Sequence, residues 1–437
     1  MRILIVEDHA SFADALKDAV AFAVADAVIE VTSSADAAID AIRRDVFDFI
    51  LCDLQIPPTD GSADLQIAHG RSVVAAVLRE ASGTPVLVLS AFADKYENLR
   101  DLIVKAGRED VHGTSVPYSM IDAEVKDRVD RAIQIVREYS EELDRLQDID
   151  VEGLDGAVLE PWEARVLRIY GRRANGRVVH ARRLGGGLSP SHAYRVEVFD
   201  DRRDRRASVV AKLSTVEEVR DERDRLQREI APRLVEGTYA PYADAVTGGY
   251  GRYGGLFCKL LEGFDTPLVD LFRAGDPRAV TAIQGLRKIG APWLVDAPWT
   301  TVKIGALRKT QVDDSVLAPY RSSLASMKAA QFEERSVNVH AATQHEDMHG
   351  LNVLMNGEKP QIVDYARVGP SFGGIDAISL ELSLAFHPSV RGSSWPTLAN
   401  ATEWADPVVF AAGSAYADVI AACRDWARSD AGSNRAL

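Results

Sequence analysis

Short apolar runs alternate with amphipathic segments through the first 118 residues. Segments with helical periodicity, such as Ala10–Phe22 and Ala35–Arg44, separate these runs. The runs lie at Ile3–Val6, Val28–Val31, Phe49–Cys52, Val86–Leu89 and Val111–Val116. Apolar strands that alternate with helices favour a parallel sheet covered on both faces. We therefore predict a doubly wound α/β domain over residues 1–118, with its functional site beyond the carboxyl ends of the strands.

Polar side chains stand at several of these predicted strand ends. Glu7 and Asp8 follow the first run, Asp53 follows the third, and Ser90 follows the fourth. A carboxylate can attack a phosphoryl donor only if a divalent cation neutralises the incoming charge, so an acceptor aspartate needs further acids beside it. Glu7, Asp8 and Asp53 supply that set.

This acidic set, together with Ser90 in Leu87-Val88-Leu89-Ser90-Ala91, resembles the flavodoxin-like receiver domain of two-component response regulators. The resemblance implies that Asp53 is phosphorylated and that Glu7 and Asp8 bind Mg²⁺ with it. It also implies that Ser90 contacts the phosphoryl oxygen. An upstream histidine kinase or another phosphodonor is then the expected partner.

Two features depart from the receiver pattern. The lysine expected just before the proline that closes strand five is absent, because Val116 precedes Pro117. The segment after Asp53, from Pro57 to about Gly70, is longer than usual. Two alternatives stay open: a receiver fold that is no longer phosphorylated, or an acid pair that caps a helix beside an unrelated Asp53.

A long helix is predicted from Ser119 to about Gln147. Its apolar residues recur at alternating spacings of three and four, which is a heptad pattern: Val125, Val129, Ala132, Val136, Tyr139, Leu143 and Leu146. The first half is predicted to pack on its own domain, and the second half is either packed in the same way or forms a parallel dimeric coiled coil. Residues 148–160, rich in Asp and Gly, are interpreted as linker, so 119–160 connects two domains.

The pattern changes from about residue 161. Strand-like runs come first, at Val166–Tyr170, Val178–Ala181, Ala193–Val198 and Ser208–Leu213. Mostly helical composition follows from about residue 265. This order predicts an α+β domain with a β-rich lobe over residues 161–258, an α-rich lobe over residues 263–437, and a cleft between them.

Phosphoryl transfer requires positioning and charge neutralisation, with a lysine for nucleotide phosphates and a glycine-rich cover. The glycine-rich segment contains Gly185, Gly186, Gly187 and Ser189. Lys212 closes a later apolar run, and Glu222 lies on the next helix in competition with Glu217, Glu218 and Glu229 for the pairing role. The segment Leu256–Gly263, with Leu261 and Glu262, resembles the hinge whose backbone binds adenine.

The most specific motif is Asp347-Met348-His349-Gly350-Leu351-Asn352, followed by Ile362-Val363-Asp364-Tyr365. Both segments closely resemble the aminoglycoside phosphotransferase and choline kinase branch of the protein-kinase-like fold. The resemblance implies ATP and Mg²⁺ as cofactors, with Asp347 orienting or deprotonating the acceptor and with Asn352 and Asp364 as metal ligands. His345 would brace the loop, and Glu346 replaces a residue that is usually glycine.

Several alternatives accompany this interpretation. His345, Asp347 and His349 alternate along the chain and form a possible metal site, although that site leaves Asn352 and Asp364 unexplained. Three functions stay open for the domain. It is expected to be an active phosphotransferase with an unidentified acceptor, a nucleotide-binding pseudokinase scaffold, or a small-molecule kinase that acts on aminoglycoside-like or choline-like substrates. The segment Gly374–Glu381 resembles the helix that supports the metal loop.

Composition limits the remaining classes. A net charge of −14 argues against nonspecific binding to nucleic acid or to an anionic membrane surface. The basic cluster at 202–206 is interleaved with aspartates and predicts a solvated turn. Three widely spaced cysteines favour a reducing cytoplasm, and no apolar segment approaches the length of a membrane helix.

Overall fold

Five parallel strands form the first sheet of the computed structural model, which describes residues 1–91, 95–184, 192–326, 329–388, 390 and 395–431. The spatial order of these strands is β2-β1-β3-β4-β7. Their bounds are β1 Arg2–Val6, β2 Val28–Thr32, β3 Phe49–Asp53, β4 Val86–Ser90 and β7 Ile121–Val125. Helices α1 Ala10–Ala23, α2 Ala35–Arg44, α3 Ile67–Glu80, α4 Lys95–Ala106 and α5 Val129–Gln147 accompany them. Buried apolar clusters cover both faces of the sheet, as the doubly wound prediction requires.

The prediction of the fifth strand is wrong. Val111–Val116 forms no sheet strand and lies inside a connection closed by two short paired strands, β5 Arg108–Glu109 and β6 Tyr118–Ser119. The fifth strand is β7, which pairs in parallel with β4. The parallel sheet therefore continues past residue 118.

Helix α5 is shorter than predicted because Ser119 and Val125 belong to strands. Its apolar seam packs within the chain: Ala132, Val136, Tyr139 and Leu143 join the core of the parallel sheet, and Leu146 joins the core of the next sheet. This burial overturns the coiled-coil interpretation of the seam, since side chains enclosed by their own chain cannot pack against a second helix.

A six-stranded sheet follows, in the order β12-β13-β11-β10-β9-β8. Its strands are β8 Asp150–Leu154, β9 Val178–Arg183, β10 His192–Phe199, β11 Arg205–Thr215, β12 Tyr242–Val246 and β13 Tyr253–Lys259. Strand β8 lies in the segment predicted as linker and runs parallel to β9, whereas β9, β10, β11 and β13 pair antiparallel. The predicted strand Val166–Tyr170 is instead part of helix α6 Pro161–Arg173, which stacks Tyr170 on Phe257 at 3.9 Å.

The chain divides into two compact units. Residues 1–221 and 243–259 form the first unit, and residues 222–242 and 260–437 form the second. The first unit thus contains both the parallel sheet and the six-stranded sheet. Helix α7 Val216–Arg225 continues into a π-helical turn, Leu226–Ile230, and spans the division.

The second unit contains more β-structure than its composition predicted. The described residues of this unit form two three-stranded sheets, in the orders β14-β17-β18 and β15-β16-β19. Their strands are β14 Thr266–Pro267, β15 Trp299–Lys303, β16 Ser336–Gln344, β17 Val353–Asn356, β18 Lys359–Ile362 and β19 Gly369–Phe372. The helices are α8 Leu268–Ala274, α9 Arg278–Leu294, α10 Ile304–Gln311, α11 Asp314–Leu317, α12 Arg321–Ser326, α13 Ala329–Glu333, α14 Ile375–Phe386, α15 Leu398–Thr402, α16 Pro407–Phe410 and α17 Ala417–Asp430.

The three cysteines, Cys52, Cys258 and Cys423, are buried and are not joined in disulfides. The basic cluster at 202–206 spans the predicted turn and the start of the next strand, where Asp200 accepts hydrogen bonds from the backbone of Arg202 and Asp204. In the described part of the chain, every helix is too short or too polar to cross a membrane.

Candidate functional site

Three carboxylates meet at the carboxyl edge of the parallel sheet. Strands β1 and β3 are neighbours, so the residues that follow or end them lie side by side. The ligand oxygens of Glu7, Asp8 and Asp53 all lie within 4.8 Å of one another, and Glu7 and Asp53 are buried. Among the described residues no other group of histidine, cysteine or acidic side chains has metal-binding spacing. An all-oxygen donor set of this kind suits Mg²⁺.

A lysine that the sequence analysis missed completes this cluster. Lys126 Nζ lies 2.7 Å from Asp53 Oδ2 and 2.7 Å from Glu7 Oε2. Strand β7 ends at Val125, so the lysine directly follows the fifth strand. Val116, predicted to occupy this place, is 67% exposed and lies in the connection before β7. The predicted absence of the lysine is therefore wrong.

Burial and charge pairing oppose each other in this cluster. Burial raises the pKa of Glu7, although the hydrogen bond from Lys126 works in the opposite direction. Burial also disfavours the charged lysine, yet its hydrogen bonds to Asp53 and Glu7 leave the pKa of Lys126 raised. The lysine is thus held as a cation against two buried acids.

Ser90 lies beside the same cluster. It ends β4, is buried, and is paired in register with Val125, the residue before Lys126. On the next strand, Asp53 is in register with Leu89. Strand β4 lies between β3 and β7. The sheet therefore places Ser90, at the end of β4, between Asp53 at the end of β3 and Lys126 directly after β7.

The second motif forms two loops joined by a hairpin. Strands β17 and β18 pair antiparallel, with Val353 opposite Ile362. Asn352 directly precedes this hairpin and Asp364 follows it, and the backbone N–H of Val363 donates to the Asn352 carbonyl at 3.0 Å. Asp364 adopts a left-handed backbone with φ of 66°. The hairpin thus brings together the two segments predicted to carry metal ligands.

Asn352 also holds the loop of Asp347. Its Nδ2 donates to the Asp347 carbonyl at 2.9 Å and lies 3.5 Å from Asp347 Oδ2. The Asp347 side chain is 41% exposed, so it is accessible to a substrate. His349 stacks near His387, and burial lowers the pKa of His349. A neutral imidazole therefore flanks the exposed carboxylate.

A buried aspartate supports the start of this loop. Asp376, near the start of α14, accepts hydrogen bonds from the backbone N–H groups of His345 and Glu346, each at 2.9 Å. Burial raises the pKa of Asp376, and these two hydrogen bonds oppose that shift. The predicted supporting helix thus braces the segment before Asp347.

His345 braces the loop as predicted. The side chain is fully buried, and His345 Nε2 lies 3.1 Å from the Val363 carbonyl oxygen. This contact ties the two loops together across the hairpin. Within the described residues, His345, Asp347 and His349 do not form a metal-binding group, so the alternative metal site is wrong.

The predicted nucleotide residues are distributed over both units. Lys212 lies on β11 in the first unit, in register with Ala193 and Leu256. In the second unit, Leu261 and Glu262 follow β13, and Glu262 O accepts from Asn356 Nδ2 at 3.2 Å. The remaining predicted phosphate-binding residues, Gly185, Gly186, Gly187 and Ser189, lie outside the described residues.

Glu222 is distinguished from its competitors by burial. Its carboxylate is buried and accepts a hydrogen bond from the backbone N–H of Tyr365 at 3.0 Å. Glu217 and Glu218 are exposed, and Glu229 pairs with Arg233. Glu222 therefore fixes the residue that follows Asp364.

Within the first unit, the parallel sheet docks on the six-stranded sheet. Glu109 accepts from Arg220 Nη2 at 2.8 Å and from Thr247 Oγ1 at 2.6 Å. Arg173 Nε donates to Asp110 Oδ2 at 2.9 Å. The connection before β7, absent from the sequence-based prediction, thus carries much of this contact.

Backbone hydrogen bonds strengthen the docking, and an aromatic cluster packs next to it within the parallel-sheet region. Gly83 N–H donates to the Gly251 carbonyl at 2.6 Å, and Gly249 N–H donates to the Gly83 carbonyl at 2.7 Å. His112 stands between Tyr118 and Tyr139, at ring distances of 6.0 and 4.5 Å. The two sheets are therefore joined by backbone as well as side-chain contacts.

Comparison with known proteins identifies the parallel-sheet region. Residues 3–111 match the family model of the response regulator receiver domain. A search of the curated proteins found no match.

Solved structures similar to the chain include a receiver domain of a response regulator from Francisella, which is 20% identical. The match covers 32% of this chain and 98% of that chain, with a TM-score of 0.24. The receiver domain of a sensor histidine kinase from Pseudomonas aeruginosa, solved with a magnesium ion in its active-site cleft, is 17% identical. It covers 32% of this chain and 97% of that chain, with a TM-score of 0.23.

A third structure is the phosphorylated phytochrome response regulator of a cyanobacterium, 21% identical over 32% of this chain and 91% of that chain, with a TM-score of 0.23. The family match and the acidic cluster at the carboxyl edge of the parallel sheet agree. Residues 3–111 are therefore a response regulator receiver domain, the module of two-component phosphorelay signalling.

Proposed function

We propose that the chain is a response regulator in which Asp53 accepts a phosphoryl group and controls an ATP-dependent phosphotransferase output. The observation that carries the receiver part is the contact of Lys126 with both Asp53 and Glu7. The expected phosphodonor is a histidine kinase or a small acyl phosphate. The close spacing of the Glu7, Asp8 and Asp53 carboxylates supports Mg²⁺ as the cofactor of this cluster.

The receiver chemistry follows from the arrangement of its side chains. A carboxylate oxygen of Asp53 attacks the donor phosphorus, the bond from phosphorus to the donor atom breaks, and an aspartyl phosphate forms. Mg²⁺ held by Glu7, Asp8 and Asp53 would neutralise charge on the phosphoryl oxygens. Lys126 then pairs with a phosphoryl oxygen, and Ser90 donates a hydrogen bond to another.

In the output, Asp347 orients or deprotonates the acceptor, while Asn352 and Asp364 hold Mg²⁺. Lys212 and the glycine-rich segment bind ATP phosphates, and the backbone near Leu261 and Glu262 binds adenine. The support is the hydrogen bond from Asn352 to Asp347 and the hairpin that joins both loops. Phosphoryl transfer needs mainly such positioning and charge neutralisation.

We further propose that the two activities are coupled through the docked sheets. Lys126 lies three residues before α5, and Tyr139 of that helix contacts His112 in the docking region. A phosphoryl group on Asp53 would draw Lys126 away from Glu7 and shift α5 against the six-stranded sheet. The sequence predicted that α5 acts through a dimer. Because the apolar seam of α5 is buried within the chain, we propose this intramolecular route instead.

The receiver is tested by labelling purified full-length protein with acetyl phosphate and Mg²⁺. Native protein should be labelled and Asp53→Ala should not. Labelling of Asp53→Ala at the native level would overturn the assignment of the acceptor. Arg220→Ala, which removes a docking contact, should keep the labelling but reduce its effect on output activity.

The output is tested by ADP release from Mg²⁺-ATP with candidate acceptors. Asp347→Asn should lower turnover by about a thousandfold or more while sparing nucleotide binding, and Asp364→Ala should also weaken Mg²⁺-ATP binding. Asp418→Asn, on an exposed position of α17, is the control. ATP binding by native protein without turnover on any acceptor would favour a nucleotide-binding scaffold.

A further inference from the structure

A cavity in the second unit is lined by three arginines that are not ion-paired within the described residues. Its volume is about 390 Å³, and its arginines are Arg225, Arg228 and Arg367. None of these guanidinium groups has a hydrogen-bonded or ion-paired partner among the residues that the structure describes. The chain carries a net charge of −14, so acidic side chains that could pair with arginines are plentiful.

Neighbouring arginines show that pairing is the rule on this part of the chain. Arg223 pairs with Asp224 at 2.9 Å, and Arg233 pairs with Glu229. Arg223 precedes Arg225 and Arg228 on this helical segment, and Arg233 follows them just after the π-helical turn. The cavity therefore concentrates positive charge that nearby acids do not compensate.

The walls of the cavity are held in place. Arg228 lies on the π-helical turn Leu226–Ile230, a backbone form that occurs frequently at functional sites. Trp293 Nε1 donates to the Glu229 carbonyl at 3.0 Å, and Arg233 donates to Thr343 Oγ1 at 3.0 Å. On the other wall, β19 pairs with β16, with Gly369 opposite Gln344.

Two carboxylates also line the cavity, and both are engaged. Glu229 accepts from Arg233 and from Thr343 Oγ1, the latter at 3.3 Å. Glu346 accepts from Gln311 Nε2 at 3.3 Å. The charge presented to a ligand thus remains positive, since three guanidinium groups face two carboxylates, one of which is already ion-paired.

We infer that this cavity binds a small molecule that bears a phosphate group. Guanidinium groups match phosphate oxygens in geometry and bind them through charge-assisted hydrogen bonds. A volume of about 390 Å³ is in the range of small-molecule sites and too small for a folded partner. The inference concerns binding and does not depend on phosphoryl transfer by Asp347.

The test is titration calorimetry of full-length protein with inorganic phosphate and pyrophosphate, against sodium chloride at equal ionic strength. Native protein should bind both phosphates. Arg228→Gln and Arg367→Gln should each weaken binding by about tenfold or more, since a hydrogen bond to a charged group contributes about 1.5–3 kcal/mol. Glu346→Gln, which removes a carboxylate from the lining, should tighten binding.

Arg321→Gln is the charge-matched control, because Arg321 is exposed and lies outside the cavity. The inference would be overturned if Arg321→Gln weakened phosphate binding equally, or if chloride at equal ionic strength abolished it. Either result would show that the binding is nonspecific charge attraction. Competition between phosphate and Mg²⁺-ATP would assign the cavity to the nucleotide site instead. Binding of a phosphoserine peptide without any binding of inorganic phosphate or pyrophosphate would also overturn it.

Discussion

Lys126 Nζ lies 2.7 Å from Asp53 Oδ2 and at the same distance from Glu7 Oε2, so one ammonium group compensates two buried carboxylates. Its side chain is 20% exposed and also packs over the Phe12 ring at 4.9 Å. Removing one partner of a buried ion pair costs about 3–5 kcal/mol when the remaining charge is fully enclosed. Partial exposure makes the expected cost here smaller.

We predict that Lys126→Met lowers the free energy of unfolding by about 2 kcal/mol in metal-free buffer, because Glu7 and Asp53 then face each other without a cation. The double variant Lys126→Met with Asp53→Asn should recover much of that loss, which is a coupling of about 1–3 kcal/mol. Thermal unfolding of the four proteins measures this cycle. Millimolar Mg²⁺ should stabilise Lys126→Met more than native protein.

Lys17→Met provides the control, since Lys17 is exposed on α1 and is not part of the cluster. It should leave the unfolding temperature unchanged. Strictly additive effects of Lys126→Met and Asp53→Asn would show that the two side chains do not interact in solution.

The sequence located the acids of this cluster but not the lysine, for a physical reason. Central strands such as β3 and β4 are buried on both faces and read as continuous apolar runs. Strand β7 is at the edge of the sheet, with Ile121 and Ala123 buried and Asp122 exposed. The alternating pattern of β7 is followed closely by the heptad pattern of α5. Residues 121–125 were therefore predicted to be part of the helix.

The heptad pattern of α5 correctly indicated a helix with one buried face, but periodicity does not specify the partner that buries it. Val136 is fully buried and Leu143 is nearly so. We predict that Val136→Asp or Leu143→Asp lowers the free energy of unfolding by about 3 kcal/mol or more and prevents native folding, because each buries an unpaired charge. Circular dichroism and thermal unfolding measure the effect.

Gln134→Asp adds the same charge to the exposed face of α5 and should be tolerated. The coiled coil would be supported if the Val136→Asp protein remained fully folded, with a native unfolding temperature, and showed a reduced molecular mass in light scattering.

In the loops of the second motif, the sequence predicted the supporting helix but not the contacts through which it acts. Asp347, Asn352 and Asp364 were predicted as site residues because their side chains carry the resemblance. The contacts of Asp376 were not predicted, since its hydrogen bonds go to backbone N–H groups 30 and 31 residues away, which leave no side-chain signal. Strand β16 was also missed, because it is half exposed and lies among helical segments.

Glu346 occupies a position of the motif that is usually glycine, so substitutions of Glu346 test whether its backbone is strained. Its φ of 61° lies in the left-handed region, which costs a residue with a side chain about 1 kcal/mol relative to glycine. We predict that Glu346→Gly changes stability by less than about 0.5 kcal/mol, since relief of strain offsets the greater freedom of glycine in the unfolded chain.

Glu346→Val should be destabilising by about 1–2 kcal/mol, because a β-branched residue tolerates this backbone poorly. The backbone hydrogen bond to Asp376 is available to all three residues, so it does not distinguish them. Thermal unfolding compares the variants, and equal stability of the glycine and valine proteins would contradict the strain assigned to this position.

The last prediction concerns pH. Burial raises the pKa of Asp430 to about 6, although its hydrogen bond from the Trp426 indole at 2.8 Å opposes the shift. In the unfolded chain an aspartate titrates near its ordinary value of about 3.9. Between these values the folded protein holds a proton that the unfolded chain has lost.

The contribution of Asp430 to stability is therefore complete below about pH 4 and is lost as the pH rises to about 6, by on the order of 2–3 kcal/mol. Asp430→Asn keeps a hydrogen-bond acceptor for Trp426 but cannot titrate. We predict that the stability of Asp430→Asn relative to native protein rises between pH 4 and pH 6 and is constant above that range. Unfolding temperatures of both proteins across this range measure the difference, in which other titrating groups cancel. Asp418→Asn, at an exposed position of the same helix, should show a constant difference. If the Asp430→Asn difference were equally constant, the carboxyl group of Asp430 would titrate in the folded protein as it does in the unfolded chain.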